Sequence, residues 1–599
     1  MSRHIDKAEL ISKLQNLEGL TVDERSSLIG LLRQHKKYGL VWEDKPEDVE
    51  ERLREELPVL REVKDKAILS DDPDAPNHIL IEGDNLEALT ALSYTHEGKI
   101  DVIYIDPPYN TGNKDFVYND SFVDIEDSYR HSKWLSFMNK RLKIAKKLLS
   151  DKGVIFISID DNEQAQLKLL CDTVFGSDNF TGNVIWEKTD SPRMDVSGFT
   201  VRHDYILVYQ KQYFVLKRLM PDDVPDHYNK VDENGRQYYL KPLRLMGGHK
   251  SDSLYYGIEA PDGTIIYPKE TNGDNGCWRW SKTKYENEIE RIEWVKGKKG
   301  WSANFRIYAD NMTPTPVNTV WPFEKVGSTR TAKTELSNIV QQFIFSYPKP
   351  TSLLSFIERI ASEKDSTILD FFAGSGTTLH ATMQLNAEDG GHRHCILVTN
   401  NENNICEEVT YERNKRVING YTTPKGIPVE GLKANTLRYY KTDFIPRDRT
   451  QKNMRDLVAA ATDLLCIKED LYDEQKTFGR FKLKSQLARY FNNVKKHMLI
   501  VYREELIDEI AEEIKNLDFA GKRLKIYVFS PGRYAFNDNF REVEDKVELV
   551  ALPAAIYDAY QKVLPKRREK LLELESKEED GEHQSSTKTP TDLFEGQGL

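Results

Sequence analysis

The chain has 599 residues, 39% of them hydrophobic and 30% charged, and no apolar run approaches the ~20 residues of a membrane span. Its five cysteines are scattered without a CxxC pair, which argues against a disulfide framework or a zinc cluster, and without an apolar leader we expect a cytoplasmic protein. The net charge of −12 comes mostly from the ends: residues 1–80 carry −5 and 571–599 carry −6, whereas 181–350 carry +3. A nucleic-acid partner is not excluded, because a local basic face matters more than the total.

The chain begins with a predicted helical region over residues 1–70. Leucines and valines recur there at helical spacing in "KAELISKLQNL" and "PEDVEERLREELPVLREV". Over residues 71–210, after the Pro/Asp-rich break "SDDPDAPN", apolar strands such as "HILIEGD", "KIDVIYID" and "GVIFISID" alternate with amphipathic helices. This alternation predicts a parallel sheet covered by helices on both faces.

The second half of the chain changes pattern three times. Residues 211–335 show short strands, turns and many aromatic residues. Strand–helix alternation returns over residues 336–445, in "STILDFFAGSGTT" and "RHCILVTNNE". Residues 446–572 predict a further α/β domain, and the polar, acidic residues 573–599 are predicted to be disordered.

A glycine-rich turn, "DFFAGSGTT" over residues 370–378, joins an apolar strand to a helix. Glycines let the backbone turn sharply and approach a ligand, with helix N–H groups facing it. The turn is not a full G-x-G-x-x-G, so a plain strand–helix turn remains the alternative. No G-x-x-x-x-G-K-[ST] motif occurs in the sequence, so it offers no recognisable ATPase motor.

Two further strands run into acidic and amide residues. Asn401 and Glu402 follow "HCILVTN", and an acid at the tip of the second strand is where doubly wound folds hold ribose hydroxyls. Asp84 and Asn85 end "HILIEGDN" and fit the reading of an adenine edge. The alternatives are a solvated strand-end glutamate and a helix cap before "LEALTAL".

The stretch "DVIYIDPPYNTG", residues 101–112, leads from a buried strand into an acid, two prolines and a tyrosine. Asp106 lies at the carboxyl end of its strand, where open α/β sheets bind ligands. The prolines stiffen the backbone and lack N–H groups, so the local carbonyls and the Asp106 carboxylate form an acceptor array suited to an NH₂ group. Tyr109 offers a flat face for stacking a base. The alternative is a plain strand-ending turn.

Together, "IDPPYNTG" and "DFFAGSGTT" resemble the DNA amino-methyltransferases that use S-adenosylmethionine. The first motif precedes the second by 264 residues, an order that resembles the circularly permuted beta class. "NHILIEGDNLEAL", "HDYILVY", "YPKP" and "YERNKRVINGY" further resemble the Mod subunits of Type III restriction–modification systems, over about residues 30–445. The resemblance implies an α/β fold: a circularly permuted Rossmann-like sheet with an inserted target-recognition domain and helical or α+β terminal extensions.

The resemblance also implies residue roles. The catalytic residues would be Asp106, Pro107, Pro108 and Tyr109: Asp106 and the Pro107 carbonyl bind the target amine, and Tyr109 stacks on the target base. Glu402 would hold the ribose hydroxyls of the cofactor and Asp84 its adenine end. The remaining residues expected to bind the cofactor are Asn85, Lys349, Asp370, Phe372, Ala373, Gly374, Ser375, Gly376, Thr377, Thr378 and Asn401.

Six of the eight tryptophans lie within residues 181–350, near the basic stretch "RIEWVKGKKGWSANFR". A lysine-rich turn flanked by aromatic residues suits phosphate contacts and wedging between base steps. The alternative is an aromatic core with a solvated basic loop. In the permuted family this insert is the target-recognition domain, so we expect Lys296, Lys298 and Lys299 to contact DNA phosphates.

The sequence therefore predicts a site-specific methyltransferase acting on N6 of an adenine flipped out of double-stranded DNA. An acid at position 106 favours adenine, because cytosine-N4 enzymes usually begin this motif with serine. The resemblance implies the modification subunit of a Type III-like system, working as a homodimer with a separate helicase–nuclease restriction subunit; neither a metal nor a membrane is expected. The alternatives are an orphan regulatory methyltransferase, cytosine-N4 specificity, and a catalytically inactive DNA-recognition protein.

Overall fold

The structure is a computed structural model that describes residues 42–566, except 114, 120, 192–196, 222–223, 246–250, 270–275, 299 and 342–344. The predicted acidic tail over 573–599 and the first 41 residues of the predicted helical region lie outside the described residues. Leu216–Asn318 forms one compact unit, and the rest of the described chain forms another. None of the described helices is both long and apolar enough to cross a membrane.

The larger unit is built on a ten-stranded mixed sheet, in the α/β architecture expected from the sequence. Its strands lie in the order β1-β10-β2-β9-β8-β3-β4-β6-β5-β7, and the six from β10 to β4 are mutually parallel. Their bounds are Glu56–Glu62 (β1), Asn77–Glu82 (β2), Ile100–Ile105 (β3), Leu149–Ile159 (β4), Phe180–Glu187 (β5), His203–Gln210 (β6), Val320–Trp321 (β7), Thr367–Asp370 (β8), His394–Thr399 (β9) and Thr436–Pro446 (β10).

The central strands are buried on both faces, as their unbroken apolar runs predict. In β3, for example, Ile100 and the residues from Val102 to Ile105 are all buried. Helices cover these strands and meet in one core with the C-terminal part of the chain. The helices of this unit are Asp48–Glu55, Asn85–Thr95, Arg130–Leu148, Gln164–Phe175, Phe323–Val326, Thr329–Val340, Thr351–Ala361, Thr377–Asp389, Glu412–Asn419, Gln451–Glu469, Ile507–Lys515 and Ala554–Gln561.

One predicted helix is partly wrong. The pattern in "PEDVEERLREELPVLREV" predicts a helix through residue 63, but the helix ends at Glu55 and Glu56–Glu62 is strand β1, antiparallel to β10. Pro58 explains the change, because proline breaks a helix interior but is tolerated in an edge strand. Four consecutive buried residues, from Leu57 to Leu60, supply the burial that favours the strand.

The C-terminal residues add a second sheet to the same unit, with strands Glu474–Gln475, Ala488–Asn492, His497–Val501, Leu524–Phe529 and Val547–Leu552 in that order. The buried Tyr560 donates its hydroxyl to the Pro58 carbonyl over 2.6 Å. This region therefore packs against the β1 edge of the main sheet.

The Leu216–Asn318 unit contains a four-stranded antiparallel sheet around an aromatic core. Trp278, Trp280 and Phe305 are buried in that core. The unit ends before residue 335, where the sequence pattern places its boundary, because Val320–Trp321 pairs in parallel with β5 of the main sheet. The sheet strands are Lys230–Val231, Gln237–Pro242, Ile292–Gly297 and Gly300–Tyr308.

Candidate active site

Apart from Lys349, which precedes the helix Thr351–Ala361, the sequence-predicted site residues of the larger unit follow the carboxyl ends of neighbouring parallel strands. Asp84 follows β2, Glu402 follows β9, the 370–378 turn follows β8, and Asp106 follows β3. Because β8 lies between β9 and β3, the glycine turn and Asp106 are brought to adjacent strand ends although 264 residues separate them. These ends form the edge at which open α/β sheets bind ligands.

The two carboxylate oxygens of Asp106 have different surroundings. Oδ2 accepts a short hydrogen bond from the Lys349 ammonium group. Oδ1 is buried and has no hydrogen-bond partner among the described residues. Buried polar atoms in proteins are nearly always paired, so this oxygen at a strand end has an acceptor site open to a donor from a ligand.

Tyr109 is held by charged groups on two sides. Its hydroxyl accepts a hydrogen bond from Lys349 Nζ at 3.2 Å and donates to Asp204 Oδ2 at 3.5 Å. Lys188 Nζ binds the other oxygen of Asp204 at 2.6 Å. Burial, with the nearby Asp106 and Asp204 carboxylates, raises the pKa of Tyr109 well above its ordinary value. The phenol therefore stays protonated and its ring is fixed in place.

Two contacts from behind fix the loop that carries Asp106. The fully buried Trp134 donates its indole N–H to the Pro108 carbonyl over 2.7 Å. Asn110, in the left-handed region at φ 58°, donates its amide to Glu163 Oε1 at 2.5 Å. Burial raises the pKa of Glu163 to about 8, and the same oxygen contacts His131 Nδ1 at 2.6 Å. The roles of Trp134 and His131 were not predicted from the sequence, because an aromatic and a polar residue on a helix predict only packing.

The glycine turn has the backbone that its sequence predicts. Gly374 and Gly376 have positive φ, 49° and 70°, which favours glycine. The Gly374 carbonyl accepts from Thr410 Oγ1 at 2.6 Å, and the Gly376 carbonyl accepts from Asn414 Nδ2 at 3.2 Å. Asn414 lies within the "YERNKRVINGY" stretch, whose buried residues thus support the turn from behind.

Other side chains of the turn are engaged within the protein. The buried Arg413 donates to Thr377 Oγ1 at 2.7 Å and to Ser375 Oγ at 3.2 Å. Asp370 accepts from Phe372 N at 3.0 Å and from Thr378 Oγ1 at 2.5 Å. Burial raises the pKa of Asp370 to about 7. Of the remaining predicted residues, Ala373 donates its N–H to the Val398 carbonyl at 3.1 Å.

At the end of β2, Asp84 caps the following helix by accepting from Leu86 N at 2.7 Å. Its other oxygen lies 3.5 Å from the fully buried Arg141, which also binds Glu47 at 2.9 Å. Asn85 accepts from Arg141 and donates to the Phe371 carbonyl at 3.2 Å, so it joins this strand end to the glycine turn. The capping alternative is thus observed for Asp84.

At the end of β9, Glu402 is exposed and opens a short 3₁₀ turn. Asn401 accepts from the backbone N–H of Glu407 at 3.2 Å.

The predicted DNA-contacting lysines lie on a hairpin of the Leu216–Asn318 unit. Lys296 is exposed near the end of Ile292–Gly297, and its ammonium lies 5.2 Å from the centre of the Trp301 ring. Lys298 is exposed in the turn, and Lys299 lies outside the described residues. Trp278 and Trp280 are buried, as the core alternative expects.

A family model described as DNA methylase matches residues 100–415, more than half of the chain. The chain belongs to this DNA methylase family. The matched region includes both Asp106 and the glycine turn, so both motifs at this sheet edge belong to the part of the chain that the family shares.

Two relatives define the family context. The chain is 36% identical over 350 residues to the Type III restriction–modification enzyme StyLTI Mod subunit of Salmonella typhimurium, covering 54% of this chain and 52% of that one. It is 33% identical over 368 residues to the Type II methyltransferase M.KpnI of Klebsiella pneumoniae, covering 58% and 87%. The match thus spans about half the length of the Mod subunit and most of M.KpnI.

A solved structure of the M1.HpyAVI–SAM complex aligns at 13% identity and a TM-score of 0.28, over 56% of this chain and 98% of the other. At that TM-score the alignment adds nothing to the sequence matches.

Proposed function

We propose that this chain transfers a methyl group from S-adenosylmethionine to the exocyclic N6 of an adenine flipped out of double-stranded DNA. The observation that carries the proposal is the buried, unpaired Oδ1 of Asp106, one strand from the glycine turn. The carbonyl of Pro107, the next residue, is the second acceptor under this proposal. Two fixed acceptors match the two N–H donors of an amino group. Membership of the DNA methylase family supports the same reaction.

The residues at the neighbouring strand ends fit S-adenosylmethionine. The turn after β8 has no side chain at Gly374 and Gly376, directly before the N-terminus of a helix. Glu402, exposed at the end of β9, suits the ribose hydroxyls, and the Asp84 carboxylate, beside Arg141, suits the adenine end. The cofactor, when bound, supplies an electrophilic methyl group attached to a positively charged sulfur.

The amine is a weak nucleophile, because its lone pair is delocalised into the base, and the two acceptors counteract this. Asp106 and the Pro107 carbonyl would draw the amine hydrogens toward themselves and stabilise the positive charge that develops on nitrogen. The nitrogen then sheds one proton, which the Asp106 carboxylate is placed to accept. Positioning and electrostatics carry this scheme, without a covalent enzyme intermediate.

The base must leave the duplex to reach these acceptors, which costs a few kcal/mol. Tyr109, fixed between Lys349 and Asp204, would offer its ring to the flipped base. Base–aromatic stacking contributes ~1–3 kcal/mol per base. Adenine is favoured over cytosine because position 106 carries an acid.

The relatives support a place in a restriction–modification system. Likeness to a Type III Mod subunit favours a modification subunit of such a system. Under this proposal, as the sequence resemblance implies, it works as a homodimer with a separate helicase–nuclease subunit. In the same proposal, residues 71–210 and 336–445 belong to the methyltransferase domain in circularly permuted order, and the target-recognition domain predicted over 211–335 corresponds to the Leu216–Asn318 unit. The coverage of M.KpnI, 87%, favours a second candidate, a methyltransferase that acts without a restriction subunit.

The product identifies the reaction. The purified chain is incubated with plasmid DNA and methyl-labelled S-adenosylmethionine, and the DNA is digested to nucleosides for mass spectrometry. We expect labelled N6-methyl-2′-deoxyadenosine. Labelled N4-methyl-2′-deoxycytidine would replace adenine by cytosine as the target, and an unlabelled digest would refute methyl transfer by the chain alone.

A further inference from the structure

We propose that Lys349 is a positioning residue that holds the Asp106 carboxylate turned so that one oxygen faces the target amine. This inference rests on the proposed function, since it concerns the same amine site. It differs from the role that the sequence resemblance implies, in which Lys349 helps to hold the methionine part of the cofactor.

The geometry assigns the Lys349 ammonium group to Asp106 and Tyr109. It binds Asp106 Oδ2 and donates to the Tyr109 hydroxyl at 3.2 Å, and it lies 5.3 Å from the centre of the Tyr109 ring. The Lys349 side chain is only 10% exposed and that of Asp106 only 23%. Charge-assisted hydrogen bonds are stronger than neutral ones and gain further where water is excluded.

The contact with Lys349 gives the two oxygens of the Asp106 carboxylate different functions. Oδ2 is taken by Lys349, which fixes the rotation of the group about its Cβ–Cγ bond. Oδ1 is left buried without a partner among the described residues. An unfixed carboxylate would present its oxygens at many angles, whereas a fixed one presents a single acceptor to the amine.

The other carboxylates near this pair have partners of their own. Asp204 on β6 faces Tyr109, but Lys188 pairs with it at 2.6 Å. Asp370 at the end of β8 accepts from Phe372 N and from Thr378 Oγ1. Lys349 is the cation that contacts the Asp106 carboxylate.

The Lys349 backbone lies against the glycine turn, because its carbonyl accepts from Thr377 Oγ1 at 3.2 Å. One residue thus touches the expected cofactor loop through its backbone and the amine site through its side chain. Changing only the side chain therefore separates the two roles.

The test uses the full chain with Lys349→Met, which removes the charge but keeps the length, and Lys349→Arg, which keeps a cation. Lys168→Met is the matched control: Lys168 pairs with Asp172 at 2.8 Å on the helix Gln164–Phe175, away from Asp106. Three quantities are measured: kcat for DNA methylation from pH 5 to pH 9, KM for S-adenosylmethionine, and the Kd of S-adenosylhomocysteine by calorimetry.

We expect Lys349→Met to lower kcat at neutral pH by about 10- to 100-fold, the usual value of a hydrogen bond to a charged group. KM and Kd for the cofactor ligands should stay unchanged, Lys349→Arg should regain part of kcat, and Lys168→Met should match the wild type.

Two results would overturn the assignment. A weaker Kd for S-adenosylhomocysteine with an unchanged kcat would give Lys349 the cofactor role instead. Wild-type kcat in Lys349→Met would show that the carboxylate needs no cation. If the wild type itself methylates no DNA at any pH, the proposed function fails first, and the calorimetric Kd shows whether cofactor binding survives that failure.

Discussion

At the residue scale, Trp134 shows how a side chain outside the motif determines the motif's shape. Its indole N–H occupies the Pro108 carbonyl, and of the two proline carbonyls this leaves the one at Pro107 for the target amine. The indole is fully buried, so water cannot replace that hydrogen bond without a rearrangement.

Replacing Trp134 by Phe should lower the free energy of unfolding by about 1–3 kcal/mol, because a buried carbonyl loses its donor. It should also lower kcat, since the loop loses a fixed point. Urea unfolding and a methylation assay measure the two effects. Trp278→Phe is the control, because its indole makes an equal 2.7 Å bond, to Tyr256, within the Leu216–Asn318 unit. Equal kcat in the two variants at saturating DNA would contradict this role.

The protonation of the Glu358 carboxyl is expected to affect the stability of the fold. It is fully buried, Oε1 accepts from Thr382, and Oε2 has no partner among the described residues. Burial raises its pKa to about 8. Below about pH 4 the carboxyl is protonated in both states; as pH rises toward 8, the unfolded state ionises first, so the native state loses stability.

Glu358→Gln removes this titration. Relative to the wild type, we expect the variant to gain up to roughly 3 kcal/mol of unfolding free energy between pH 5 and pH 8, from the difference between the two pKa values. Urea unfolding at the two pH values measures the gain. A constant difference between variant and wild type across that range would be inconsistent with a protonated native Glu358.

At the scale of elements, the glycine turn depends on a positive-φ backbone that residues with a side chain rarely adopt. A Cβ at Gly376 would lie 2.4 Å from Asn414 Nδ2, and φ is 70° there. Gly390, which ends the same helix, has a similar φ of 65° but nothing within 4 Å of a Cβ. Comparing alanine substitutions at Gly376 and Gly390 therefore separates the effect of backbone strain from the effect of a steric clash.

Gly376→Ala should weaken cofactor binding by about tenfold or more, because overpacking a tight site typically costs 1–3 kcal/mol and shifts the backbone. Gly390→Ala carries the strain of positive φ without the clash and should bind the cofactor as the wild type does. Calorimetry with S-adenosylhomocysteine compares them. If both variants bind like the wild type, the 370–378 turn does not hold the cofactor.

Elements also show where sequence patterns suffice. Continuous apolar runs predicted the central strands, and their positions agree with Asn77–Glu82, Ile100–Ile105 and His394–Thr399. The pattern was wrong over Glu56–Glu62, because amphipathic spacing cannot show that β10 pairs with that segment. Pro58 was the available signal for ending the helix.

At the scale of the whole molecule, the meeting of Asp106 with the glycine turn joins residues 264 positions apart. Local patterns predict each strand exit but not that β3 and β8 are neighbours; only the family resemblance implied it. The contacts of Lys349, Trp134 and Arg141 were not predicted for the same reason, since their partners are remote in sequence. The clearest available signal was Arg141, which lies among the apolar positions of its helix and so indicates a buried charged partner.

The Leu216–Asn318 unit carries the exposed Lys296 and Lys298. Replacing both by Glu should weaken duplex DNA binding and flatten its dependence on salt by about one unit of log–log slope per lost phosphate contact. Cofactor binding should not change. Fluorescence anisotropy over a salt series measures the slope, with Lys282→Glu, an exposed lysine of the same unit, as control. An unchanged slope in the double variant would remove this hairpin from the DNA interface.

The central claim is that Asp106 holds the amino group of an adenine for methylation. Single-molecule sequencing of genomic DNA from a host that expresses this chain, compared with one that expresses Asp106→Ala, tests it most directly. We predict N6-methyladenine confined to one short motif and lost in the variant. The same methylation in both hosts, or modification of cytosine alone, would contradict the account.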